Sequence, residues 1–220
     1  MKKNNSAPVL LLLIAVVFFM HGCGPVSSKK SVIPSDKILC SEKADEALRS
    51  GDYEKSIILH EFYLKENPDS GLAMYHMGFS YGQLGDHDNE AEYYEKAIAL
   101  GYFGSGVFFN LGMVYGEIGK LEDAVRIFKR ALKTDPDKSD NHFGLGLVYQ
   151  KMSLNEKAEK EFKKAVKIDP ENIDAFYFLG LLYAEAGNIE KARSQLEIII
   201  KLDPENIMGM ELKRVIDSSK

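Results

Sequence analysis

Five histidines and one acidic run are the side chains of this sequence best suited to chemistry, and their spacing decides what they can do. A zinc site on a single helix needs two ligands one turn apart, and none of His21, His60, His76, His87 and His142 has a second histidine at that spacing. His60 and His142 fall at helical positions that face neighbouring helices, His76 lies on the first helix of a hairpin, and His87 lies in a turn. Asp86-His87-Asp88-Asn89-Glu90 begins like a calcium loop. It lacks the glycine and the distant glutamate such a loop requires, so the run is expected to be a solvated turn. The sequence contains no nucleophile elbow, phosphate loop or paired-cysteine site, so no cofactor, metal or catalytic residue is assigned and the chain is not expected to be an enzyme.

The two cysteines have different settings. Met1 to Asn5 form a short basic leader, and Ala7 to Met20 are a nearly pure apolar run of 14 residues. A bilayer-spanning helix needs about 20 such residues, so the run is sized like the core of a signal peptide. It ends at Met20-His21-Gly22-Cys23, which resembles the lipobox of bacterial lipoproteins, although His21 departs from it. That resemblance implies a signal peptide over 1–22, acyl chains on Cys23 that hold the chain at a membrane, and a periplasm-facing place in the bacterial cell envelope, the outer membrane being one choice. Residues 23–36, with Ser27-Ser28-Lys29-Lys30-Ser31 at their centre, read as a flexible tether. Cys40 is then left alone, so no disulfide framework is expected, and its inward register suits a buried small apolar residue. The net charge of −5 becomes more negative once Lys2 and Lys3 are cleaved away. With no basic stripe to displace counterions, nucleic acid is excluded as a partner.

The elements that must position these residues are announced by a period. Gly78, Gly112, Gly146 and Gly180 recur every 34 residues, each followed three residues later by Tyr81, Tyr115, Tyr149 or Tyr183. Around them Leu111, Ala124, Phe128, Ala131 and Pro136 correspond to Leu145, Ala158, Phe162, Ala165 and Pro170, and then to Leu179, Ala192, Leu196, Ile199 and Pro204. These residues resemble the tetratricopeptide-repeat family over about 37–206. The resemblance implies an all-α, right-handed superhelical solenoid of antiparallel hairpins. Five repeats are expected at 37–70, 71–104, 105–138, 139–172 and 173–206, with a capping helix and tail at 207–220. The glycines are expected to let the two helices of a hairpin approach, Gly85, Gly119 and Gly187 to turn the chain within a hairpin, and the Asp-Pro pairs to end its second helix. The first repeat is degenerate, with Lys43 and Ala44 in place of leucine and glycine. In the second, Glu90 stands at the small position with Ala91 beside it, and Tyr102 replaces the proline. A one-residue irregularity and an altered turn near Gly101 to Gly106 are expected there.

In this family the fifth and ninth positions of each first helix line the concave wall. Carried onto this chain, the resemblance gives a protein-binding groove of Tyr75, Phe79, Phe109, Met113, Phe143, Leu147, Tyr177 and Leu181, which would take an extended or helical segment of a protein or peptide partner. Gln83, Glu117, Gln150, Lys151, Asp174 and Glu185 would form its rim. The basic and asparagine set with which some such repeats grip a terminal carboxylate is absent, Asn110 being the single match. The expected function is a non-enzymatic adaptor or scaffold that assists assembly of an envelope complex. The alternatives are a regulatory subunit of an envelope enzyme and an oligomer that stacks end to end, so the oligomeric state stays open.

Overall fold

Each turn within a hairpin is set by a residue in the left-handed region, and in the first two hairpins a capping aspartate follows it. Gly51, Gly85, Gly119 and Gly187 have φ of 78°, 77°, 80° and 73°; in the fourth hairpin Ser153 takes the same place at φ 59°. Asp52 and Asp86 then accept hydrogen bonds from the backbone N–H of Lys55 and Asn89, capping the helices that follow. In the computed structural model, residues 41–104 and 106–218 are described, and they form eleven α-helices and no strand. The signal peptide, Cys23, the tether and Cys40 lie outside the described residues.

Five antiparallel hairpins follow one another: α1 (Glu42–Arg49) with α2 (Tyr53–Glu66), α3 (Gly71–Gln83) with α4 (His87–Ala99), α5 (Val107–Glu117) with α6 (Leu121–Thr134), α7 (Ser139–Lys151) with α8 (Asn155–Ile168), and α9 (Ile173–Glu185) with α10 (Ile189–Leu202). A last helix, α11 (Ile207–Ser218), packs on α9 and α10. Every helix touches its neighbours in the chain, and first helices also meet each other, as α1 with α3 and α5 with α7. The array is therefore quasi-one-dimensional, each hairpin burying a face that its neighbour needs.

Second helices bury a narrow stripe, as Ala124, Ile127, Phe128 and Ala131 do on α6 at spacings of three and four. First helices are buried on more of their circumference, as α9 is through Ala175, Phe176, Leu179, Gly180, Leu182, Tyr183 and Ala184. Asp135, Asp169 and Asp203 sit in extended backbone at the ends of α6, α8 and α10, the conformation a following proline enforces. The exposed outer face of α1 carries Glu42, Lys43, Glu46 and Arg49, which suits a terminal unit.

The recurring glycines do more specific work than bringing two backbones together. A β-carbon on Gly78 would lie 2.7 Å from the Tyr94 ring, on Gly112 2.5 Å from Phe128, and on Gly146 2.6 Å from Phe162. Each glycine is a notch that admits the aromatic ring of its own second helix. In the fifth hairpin that ring is replaced by Leu196, and the notch at Gly180 is filled by Leu212 from α11. The capping helix thus serves as the first half of a sixth hairpin.

The second repeat corrects one expectation. Second helices begin at Tyr53, His87, Leu121, Asn155 and Ile189, one every 34 residues, so no one-residue slip occurs at Glu90. Glu90 stands where Ala124, Ala158 and Ala192 are fully buried, and its carboxylate fills the space above Gly82, whose β-carbon would come within 2.6 Å of it. The register survives because a second glycine makes room. The altered turn is present: Gly101 and Gly106 have φ of 82° and 95°, and α5 begins at Val107, two residues later than the period sets for the other first helices. Tyr102 folds back onto α3, with its ring 5.3 Å from that of Tyr75.

Candidate functional site

The eight wall residues lie on α3, α5, α7 and α9, two per helix, and every one is half-buried and packed against the core. Their roles divide. The residues at the fifth position back the notch aromatics: Tyr75 lies 5.6 Å from Tyr94, Phe109 6.1 Å from Phe128 and Phe143 6.0 Å from Phe162. Tyr177 sits edge-on to Phe178 at 5.3 Å, and Phe79 meets Tyr53 of the preceding repeat at 6.3 Å. Met113, Leu147 and Leu181 bring flexible aliphatic groups to the ninth position and remain half-exposed. Burial pushes the Tyr75 and Tyr177 hydroxyls above the ordinary tyrosine range, so both stay neutral hydrogen-bonding groups.

Polar residues near the wall are partly engaged. Asn110 donates through Nδ2 to the Tyr75 hydroxyl at 3.4 Å and the Tyr94 hydroxyl at 3.3 Å, so it works inside the array. Of the rim residues, Gln83, Glu117 and Glu185 are exposed or nearly so. Lys151 donates to the Gly116 carbonyl at 2.6 Å and crosses between repeats. Asp174 is half-buried, and desolvation raises its carboxyl above the usual range. At the second hairpin turn, His87 Nδ1 lies 2.8 Å from Glu90 Oε2; this bond raises the imidazole above its ordinary value, while burial raises Glu90.

Two of the recurring tyrosines join repeats. Tyr115 and Tyr183 are buried in the body, and their hydroxyls reach carboxylates on the second helix of the repeat before, Glu95 and Glu159, the latter at 3.0 Å. His142 is likewise structural: Nδ1 lies 2.6 Å from Glu161 and Nε2 3.0 Å from the Pro136 carbonyl, tying the α6–α7 turn to α8.

A feature that sequence spacing did not reveal lies at the junctions. The notch ring of one repeat meets the sixth residue of the next: Tyr94 meets Asn110, Phe128 lies against Gly144, and Phe162 stacks on Phe178 at 6.1 Å. At the first junction the same two places hold His60 and His76, with ring centroids 5.3 Å apart. Asp45 of α1, at the register place of Phe79 and Met113, joins them. Its Oδ1 lies 3.4 Å from His60 Nε2 and 2.8 Å from His76 Nδ1. The three come from three helices, so a search for pairs on one helix misses them. The signal was their occurrence at places that are apolar or aromatic in most other repeats.

Among the described residues no helix is long and apolar enough to cross a membrane. Repeat profiles described as tetratricopeptide repeat match residues 155–208 and 72–100, and one described as TPR repeat matches 112–153. No curated protein matches the chain. Among solved structures, YrrB, described as a TPR protein with an unusual peptide-binding site, is 23% identical, with 78% of this chain and 88% of that chain covered and a TM-score of 0.64. MamA from Desulfovibrio magneticus RS-1 is 21% identical over 75% of this chain and 93% of that one, with a TM-score of 0.69. TTC0263, a thermophilic TPR protein in Thermus thermophilus, is 24% identical over 80% and 98%, with a TM-score of 0.64. At these identities the likeness is one of fold. Arrays of stacked hairpins of this kind present extended concave surfaces on which partners can bind. With three repeat profiles in tandem over more than half of its sequence and five hairpins stacked in register, the chain belongs to the tetratricopeptide-repeat family.

Proposed function

We propose that the chain is an adaptor at the bacterial cell envelope, anchored by lipid on Cys23, whose first helices hold an extended or helical segment of a protein partner during assembly of an envelope complex. The observation that carries the groove is the row of eight half-buried aliphatic and aromatic side chains on four successive first helices. Each is fixed by core packing yet keeps part of its surface in water, so a partner's apolar side chains would gain burial at little ordering cost. YrrB, whose fold this chain shares, is described as having a peptide-binding site.

The packing also selects the variants. Phe109 and Phe143 support the Phe128 and Phe162 rings, so charge there disturbs the fold as well as the wall. Met113→Glu and Leu147→Glu are expected to keep wild-type helicity and Tm while cross-linked partner recovery from envelopes falls at least fivefold. Unchanged recovery would remove the groove. Growth with labelled fatty acid should mark the wild type and not Cys23→Ser; an unlabelled wild type would remove the anchor.

End-to-end stacking is a second reading, favoured by apolar groups left exposed on both terminal units. Ile58 and Phe62 on α2 are 64% and 65% exposed, and Ile207 and Met210 on α11 are 75% and 49% exposed. Light scattering across a concentration series distinguishes it, since stacking gives a mass that grows with concentration and falls for Phe62→Glu.

A further inference from the structure

We propose that Asp45, His60 and His76 form a divalent transition-metal site, filled best by zinc, that clamps the first hairpin to the second. One ligand atom from each residue lies within 4.8 Å of the other two, and the three come from α1, α2 and α3, which also pack on one another. A tetrahedral zinc ion with bonds of about 2.0–2.1 Å separates its ligand atoms by roughly 3.4 Å. His60 Nε2 and Asp45 Oδ1 already stand 3.4 Å apart, and His76 Nδ1 needs to withdraw from Asp45 by about half an ångström from its 2.8 Å contact.

The surroundings of His60 are those of an oriented ligand. Its Nδ1 lies 2.8 Å from the Ser56 carbonyl, which can only accept, so Nδ1 carries the hydrogen and Nε2 turns its lone pair towards Asp45. Ser56 Oγ stands 3.2 Å from the same nitrogen and 3.1 Å from Ser80 Oγ, and Ser80 Oγ also reaches the His76 carbonyl at 2.9 Å. His60, Ser56 and Ser80 are fully buried, whereas the side chains of His76 and Asp45 keep 13% and 22% of their surface, so an ion can reach the site from solvent. Two imidazoles and one carboxylate favour zinc over magnesium or calcium, which prefer oxygen ligands.

The site also accounts for a departure from the repeat. Rings fill the equivalent slot at the third and fourth junctions without polar atoms. Buried polar groups there are costly unless they are bonded, and a metal would turn them into the strongest cross-link of the first repeat.

The test uses the metal-free full-length chain in detergent, titrated with Zn2+ against a chromophoric chelator. The wild type should bind one zinc ion per chain, excess Mg2+ or Ca2+ should not displace it, and saturation should raise Tm by several degrees. His76→Gln, whose residue is partly exposed and outside the apolar core, should keep its helicity yet lose affinity by roughly a hundredfold or more together with the zinc-induced rise in Tm. Asp45→Asn should lose affinity in the same way, while His87→Gln and a Cys23→Ser, Cys40→Ser double variant should bind as the wild type does. A wild type that takes up no zinc ion, one that yields it to Mg2+ or Ca2+, or a site that survives His76→Gln but vanishes with the cysteines overturns the assignment.

Discussion

The junction between the first two hairpins and those between the last three use one geometry with opposite chemistry. In the first, His60, His76 and Asp45 meet over a buried pair of serines, Ser56 and Ser80. In the later ones, Phe128 is held between Gly112 and Gly144, and Phe162 is stacked on Phe178 above Gly146. The period dictates that something must fill the slot and how large it is. It leaves open whether the filler is held by dispersion and exclusion of water or by directed polar contacts. An apolar slot gives stability without conditions. A polar slot makes the stability of the first repeat depend on what its donors find.

Breaking the apolar junction should have the largest effect. Phe128→Ala removes a fully buried ring lodged between two glycines and should cost about 3–5 kcal/mol by urea denaturation. A loss under about 1 kcal/mol would mean that the slot collapses and that the junctions are not comparable. Gly146→Leu drives a side chain into the Phe162 ring and should cost about 1–3 kcal/mol. Tyr183→Phe removes only the hydroxyl that reaches Glu159 across a junction, for about 0.5–1.5 kcal/mol. Restoring glycine by Ser153→Gly relieves the φ of 59° and should stabilise the fourth hairpin by about 0.5–1 kcal/mol, read as a higher Tm.

The smallest effect should come from pH at the second hairpin. The folded state holds protons on His87 and Glu90 more tightly than an unfolded chain does, because both groups are raised. Their contribution is therefore complete below the ordinary values and is lost as pH rises, Glu90 through the carboxylate range and His87 above the ordinary imidazole value. His87 is substantially exposed, so the loss is slight. The urea midpoint should fall between about pH 6 and pH 8 in the wild type, and the fall should be smaller in His87→Gln.

Most of the fold was legible because glycine, alanine and proline act locally. The Asp-Pro stops, the turns at Gly51, Gly85, Gly119 and Gly187 and the start of each second helix stand where the period puts them. Glu90 misled because the glycine that houses it, Gly82, lies eight residues away on the facing helix and breaks no pattern by itself. The set of eight residues that share a register on the first helices was legible, and all eight are half-buried. Its division into residues that brace the notch rings and residues that face outward was not, since Phe109 and Met113 share a helix face and differ only in what packs behind them. The Asp45, His60 and His76 cluster needed three helices in place before its atoms could be seen to meet.

The most direct test of the scaffold account places a photo-crosslinking amino acid at single sites in living cells, at Met113 or Leu147 on the wall and at Arg126 or Lys163 on exposed faces of second helices. The account predicts a discrete adduct with the same protein from both wall sites and none from the other two. Adducts of equal yield from all four sites, or from Arg126 and Lys163 alone, would contradict it.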